Sequence, residues 1–155
     1  MKTNEKMITD AVRLAYKNVV ENGGKPFGAI LVKDGEIIAT GVNDVLETHD
    51  PTAHAEIQAI RKASEKLGTD DLSGMIMFAS GHPCPMCLAA MHLCGITEIY
   101  YAASLEEAAE AGFGVSHIYT EVGLPNEKRK HPLKRISATQ GTENPMSAWK
   151  NRDDS

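Results

Sequence analysis

The chain has 155 residues, with 16 Lys and Arg against 21 Asp and Glu, a formal net charge of −5 with neutral histidine. That length suits one compact domain with its own core, and 42% hydrophobic against 24% charged residues excludes wholesale disorder. The acidic balance offers no general basic footprint, which makes nonspecific nucleic-acid binding or an anionic membrane surface a poor fit.

The N-terminal residues lack the apolar run of a secretory signal. Residues 3–20 then place Met7, Ile8, Ala11, Val12, Leu14, Ala15 and Val19 at helical spacing, and Asn22-Gly23-Gly24 stops that helix. Two apolar runs, 27–32 and 36–42, flank Asp34-Gly35, the pair a type I′ hairpin turn requires. Asp50-Pro51 is expected to open the next helix, with Asp as cap and Pro at the first helical position. Ile57, Ile60 and Ala63 continue it as far as Leu67-Gly68. Residues 75–79 read as a short strand, a helix starts at Pro85 and ends near Cys94-Gly95, and 96–102 form another strand. Ser104 caps a short helix to residue 111. In the tail, 133–138 reads as a last strand or an extended segment, and 147–151 as the core of a terminal helix after Pro145.

Residues 72–97 carry no formal charge and are long enough to cross a bilayer. Ser73, Gly74, Ser80, Gly81, His82, Pro83, Pro85 and His92 break the stretch, so it is read as core and site and no membrane role is expected. Three cysteines, two of them in Cys84-x-x-Cys87, favour metal or redox chemistry over a disulfide framework, and the cytoplasm is the expected location. A hairpin followed by alternating strands and helices is an α/β layered domain, taken as a single domain over 1–155.

The residues that carry chemistry are His54-Ala55-Glu56 and, thirty positions later, Pro83-Cys84-Pro85-Met86-Cys87. Catalytic zinc takes three protein ligands and leaves a fourth position open, and His54, Cys84 and Cys87 supply that count. A helix starting at Pro85 favours thiolate at its N-terminus. Glu56 is the acid/base candidate. His54 is read in the first turn of the other helix; residues i and i+2 lie roughly 200° apart on an ideal helix, so the pair works only because the first turn and the length of Glu56 let it reach around the metal. A Cys-x-x-Cys alone is also compatible with a redox pair or a structural zinc site, for which Cys94 and His92 are nearby fourth ligands. His-x-Glu followed by Pro-Cys-x-x-Cys is the signature of zinc nucleobase deaminases.

On these motifs the chain resembles the cytidine deaminase-like superfamily of zinc hydrolytic deaminases, and within it the bacterial guanine deaminases. The likeness extends to Pro26-Phe27-Gly28-Ala29, Asn43, 50–56, 59–63, 101–103, Ala108-Ala109-Glu110-Ala111-Gly112-Phe113, Ile118-Tyr119 and Ala148-Trp149. It implies a three-layer α/β/α fold around a five-stranded mixed sheet, a bound Zn2+, and a homodimer in which the helix at about 145–152 is open to exchange between subunits. It implies hydrolysis in which zinc makes water nucleophilic toward the amino-bearing ring carbon and Glu56 moves protons to the ring nitrogen and departing ammonia. It also implies that Phe27 stacks on the base, that Asn43 bonds a ring carbonyl or ribose hydroxyl, and that the N–H groups of Ala55 and Cys84 contact the base or the water.

The chain departs from guanine deaminases at His82, where a glutamate is usual, at Leu93, where an aromatic is common, and at Gly114-Val115, where acidic residues follow Gly-Phe. His92-Leu93 resembles the helix of guanosine deaminases. His82, His92, Leu93 and Gly114 are therefore counted among the substrate-side candidates. The expected substrate is a small nucleobase or nucleoside, guanine first. The alternatives are guanosine, cytosine or another aminated heterocycle, then tRNA adenosine, which the acidic charge disfavours, and a non-catalytic zinc module.

Overall fold

The computed structural model describes residues 3–153. They fall into two compact units divided between residues 123 and 124. The first holds the layered domain. Helix α1 (Asn4–Val20) starts at Thr3, whose hydroxyl accepts the Lys6 N–H at 3.2 Å. Strands β1 (Gly28–Lys33) and β2 (Glu36–Val42) form an antiparallel hairpin. Asp34 and Gly35 have φ of 50° and 79°, the two positive values a type I′ turn demands. Then come the short α2 (Val45–Thr48), α3 (Ala55–Leu67), β3 (Ile76–Gly81), α4 (Pro85–Leu93), β4 (Glu98–Ala103), α5 (Leu105–Glu110) and α6 (Ser116–Val122).

The described sheet has four strands in the order β2-β1-β3-β4, with β1 antiparallel to both neighbours and β3 parallel to β4. Alternation along the strands sorts side chains to two faces. Ile30, Val32 and Phe78 pack with Met7 and Ala11 of α1, and Ala29, Leu31 and Met77 pack with Ala55, Ala59 and Ala63 of α3 and Cys87 and Met91 of α4. The layers are therefore α1, sheet, and α3 with α4, as the resemblance implies.

Two expectations are corrected, and the choice over 133–138 is decided. The sheet has four described strands, not five. The segment 133–138 forms no ladder, which excludes the strand reading; at its start Asn126 accepts the Leu133 N–H at 2.8 Å and donates to its carbonyl at 2.9 Å, so those two groups are taken locally. Nor does Asp50 cap a helix. Its carboxylate takes the Thr52 N–H and hydroxyl in a local turn, at 2.8 and 2.7 Å, and α3 begins five residues later at Ala55. The second unit comprises a single 3-10 turn (Asn126–Lys128) and α7 (Pro145–Lys150), which Asn144 caps. No helix of the described residues is long and apolar enough to cross a membrane.

Candidate metal centre and active site

The topology gathers the site at one edge of the sheet. Because β1 runs antiparallel to β3, with Ala29 opposite Ala79, the residue entering β1 (Phe27) lies beside the residues leaving β3 (Gly81 and His82). Gly28 pairs with Val42, so Asn43 arrives at the same edge, and the Asn43 N–H bonds the Phe27 carbonyl at 3.1 Å. Helices α3 and α4 point their N-termini there.

His54 and Cys84 are the N-cap residues of those two helices, both with extended backbone. Hence the separation expected of an i, i+2 pair on a helix does not arise. His54 sits before the first turn, and Glu56 in it. His54 Nδ1 lies 3.5 Å from Cys84 Sγ and 3.6 Å from Cys87 Sγ, and the three ligand atoms cluster within 4.8 Å. Tetrahedral zinc with the usual N and S bond lengths requires an N···S edge of about 3.6 Å. The donor set and its spacing fit zinc.

The charges of these residues suit it as well. Hydrogen bonding from Cys87, with His54 adding, holds the Cys84 thiol down to about 4, whereas its bond to Cys84 and its burial push Cys87 up. The Cys84 hydrogen bond raises His54. Glu56 is buried, 7% exposed, and burial raises its carboxyl above the usual range. No side chain caps α3, which leaves its first N–H groups, Ala55 among them, without that partner.

The ligands open into a cleft of about 200 Å3 lined by Lys25, Phe27, Asn43, His54, Glu56, Gly81, His82, Cys84, Leu105, Ala108, Phe113, Gly114 and Val115. Phe27 and Phe113 meet edge to face at 5.2 Å between centroids. Asn43 is buried. Its side-chain oxygen accepts the Val45 N–H at 3.1 Å, so its amide N–H groups are the part left to donate.

The sequence model of the cytidine and deoxycytidylate deaminase zinc-binding region matches residues 1–103. The chain is 45% identical over 148 residues to guanine deaminase of Bacillus subtilis, covering 96% of this chain and 94% of that one. The chain belongs to the zinc-dependent cytidine and deoxycytidylate deaminase family. A solved structure of guanine deaminase from Bacillus subtilis superposes with a TM-score of 0.90 at 44% identity, over 99% of this chain and 98% of that chain. A tRNA-specific adenosine deaminase of Buchnera aphidicola is 35% identical over 136 residues, 87% of either chain.

Of the residues singled out in the sequence of this deaminase, Phe27, Asn43, His54, Glu56, His82, Cys84 and Gly114 line one cleft. Cys87 and Ala55 are buried behind it. His92 and Leu93 do not join them, which corrects that expectation for this chain's own cleft. They occupy the exposed C-terminal end of α4, about 13 Å along the helix from Cys84, and Leu93 is 89% exposed. Cys94 and His92 also stand outside the ligand cluster, against a closed four-ligand structural site.

Sequence reading missed Lys25, Phe113 and Tyr119. The ring of Phe113 closes the cleft, and the Tyr119 hydroxyl donates to the Pro83 carbonyl. Burial raises the Tyr119 hydroxyl, with the nearby Cys84 thiolate adding, so it remains a donor. Phe113 and Tyr119 lay in segments recognised as family-like, but only the fold shows what they touch.

Proposed function

We propose that this protein is a hydrolytic deaminase of a small aminated purine, converting guanine and water to xanthine and ammonia. The observation that carries the reading is Glu56, buried beside a three-ligand zinc set and facing the cleft. A structural zinc site has no use for a buried carboxylate there. Zinc bound by His54, Cys84 and Cys87 supplies a Lewis acid that makes water nucleophilic at neutral pH.

The chain's own residues supply the rest. Phe27 gives the ring a stacking face, and the Asn43 amide donates to its carbonyl oxygen. The N–H groups of Ala55 and Cys84 hold the reacting edge. The Glu56 carboxylate accepts one proton from water as its oxygen bonds to the amino-bearing carbon and delivers it to the ring nitrogen; it then takes the second proton from the hydroxyl so formed and passes it to the amino group, whose C–N bond breaks to release ammonia. The raised affinity of Glu56 for a proton suits a group that takes one and returns it. A cleft of about 200 Å3 lies below the roughly 300–1,000 Å3 of typical ligand pockets, which favours a free base over a nucleoside.

Gly114 and Val115 favour guanosine as the second reading, since neither brings a charged group to the guanine edge. The same proposal takes 1–155 as one deaminase domain acting as a cytoplasmic homodimer. The match over 96% of the chain supports the first part, and the exposed His92, Leu93, Met146 and Trp149 suit contact with a second copy.

The test is ammonia release with product mass from guanine, guanosine, adenine, adenosine, cytosine and cytidine, with the zinc-loaded Glu56→Gln variant as blank. Guanine turnover upholds the proposal, and guanosine turnover replaces it with the second reading. Silence from a zinc-loaded chain on both guanine compounds refutes both.

A further inference from the structure

The wall of the cleft opposite Phe27 is made by Phe113, Gly114 and Val115, between α5 and α6. Neither helix has a fully buried residue, so little apolar burial anchors this wall. The contacts that hold it include the Phe27–Phe113 ring pair and the hydrogen bond from Tyr119 to Pro83. The second reaches a particular place. The Pro83 carbonyl belongs to the same peptide as the Cys84 N–H, one atom from a metal ligand's backbone.

That carbonyl is held from two sides. His82 Nδ1 lies 2.9 Å from it, and since a carbonyl only accepts, Nδ1 carries the proton. The His82 ring stands edge-on between Tyr101 and Tyr119, at 4.7 and 5.7 Å between centroids, and the His82 backbone N–H bonds the Ala103 carbonyl at 2.8 Å. Pro83 is itself buried. Two donors therefore fix the plane of the peptide that orients Cys84, and one of them rides on the helix that follows the cleft wall.

We infer that Tyr119 is a positioning residue: its hydroxyl latches the 113–115 wall to the Pro83–Cys84 peptide, so that the substrate cleft and the metal ligand are set together. The inference rests on the reading of 54, 84 and 87 as the metal ligands but not on the identity of the base. Tyr119→Phe isolates it. The ring that packs on His82 stays, and Pro83 keeps the His82 donor, so no buried carbonyl is left unpaired.

Three readouts test the latch on the full-length chain. Loss of zinc to a chromogenic chelator should quicken about three- to tenfold in Tyr119→Phe, the range expected of one hydrogen bond. The cobalt-loaded variant should show a shifted ligand-field spectrum. Backbone amides of 113–122 should exchange faster than in the wild type while the melting temperature stays within a few degrees. If a substrate is found, its KM should rise more than its kcat falls. Unchanged zinc release, cobalt spectrum and exchange would overturn the latch, because a tyrosine that only packs loses nothing on becoming phenylalanine. A large fall in melting temperature would overturn it too, by making the hydroxyl a contributor to global stability. A deaminase assay that fails on every base while these readouts move would defeat the proposed function and leave the latch standing.

Discussion

Gly41 shows how closely the fold and the chemistry are joined. It lies on β2 under the first turn of α3, where a Cβ would come to 2.2 Å from the Ala55 carbonyl oxygen and 2.7 Å from the Ala59 nitrogen. Real Cβ contacts essentially never fall below 3.0 Å, and these neighbours are backbone atoms, so Gly41→Ala requires α3 to withdraw by about 0.8 Å. Overpacking of that kind costs roughly 1–3 kcal/mol, or about 2–12 °C in melting temperature for a domain of this size. The withdrawing turn carries His54 and Glu56, whereas Cys84 and Cys87 ride on α4. A shift near 1 Å between reacting groups costs on the order of 10²-fold in rate. Gly28 is the matched comparison. Its Cβ would press on α1, at 2.7 Å from the Ala11 oxygen and 2.8 Å from the Ala15 nitrogen, on the sheet face away from the ligands. Thermal melting, zinc content after dialysis and kcat/KM, measured on both variants, separate the effects. Both should melt lower, and only Gly41→Ala should lose zinc and most of its activity. Equal retention of zinc and rate in the two would refute the claim that β2–α3 packing sets the metal geometry.

Other outcomes follow from the same structure. Glu56→Gln should keep zinc and fold but lose about 10²–10⁴ in kcat; wild-type turnover in the zinc-loaded variant would remove Glu56 from the mechanism. Stripping zinc with a chelator should lower the melting temperature and readdition should restore it, by about 2.7 kcal/mol at a hundredfold excess over Kd, whereas Cys84→Ala should show neither loss nor recovery. Asp50, lowered by its bonds from Thr52, gives a pH signature. A depressed carboxylate adds stability above its unfolded pKa of about 3.9 and loses it as pH falls through the lower folded value. Urea unfolding should therefore separate wild type from Asp50→Asn at pH 7, and the gap should narrow as pH falls below the unfolded pKa of about 3.9. A gap that does not narrow with falling pH would count against the turn.

The parts of the fold legible in the sequence were those with local causes. Asp34-Gly35 dictated a turn, and Ser104 with Glu107 formed the reciprocal cap its spacing allows, with the Glu107 N–H on the Ser104 hydroxyl at 3.1 Å. Asp50-Pro51 misled because a turn and a helix start share the same residues: the Asp carboxylate can take an N–H two residues on without any helix following. The 133–138 segment sets Leu133 and Ile136 three residues apart, without the alternation of a strand; pairing is a long-range fact, and Leu133 is spent locally on Asn126. His92 and Leu93 were assigned to the cleft by likeness of sequence, and their distance along α4 placed them elsewhere.

The metal centre was legible for a deeper reason than its motif. A ligand on a helix N-cap keeps extended backbone, so its side chain escapes the helical periodicity that governs the residues after it. His54 and Cys84 both use that freedom. It lets His-x-Glu place both side chains at one cleft, which a fully helical pair could not do, and it lets Cys84 Sγ take the Cys87 N–H at 3.4 Å as a capping group while its partner thiol arrives one turn later. Two positive helix ends then converge on the place where thiolates and an attacking oxygen need stabilising. At Cys84 ligand and helix cap are one side chain, so substituting it removes both together, whereas substituting His54, whose side chain caps nothing, removes a ligand alone. Cys87 lies inside α4 and should behave differently: Cys87→Ala ought to lose the metal while leaving the start of that helix in place.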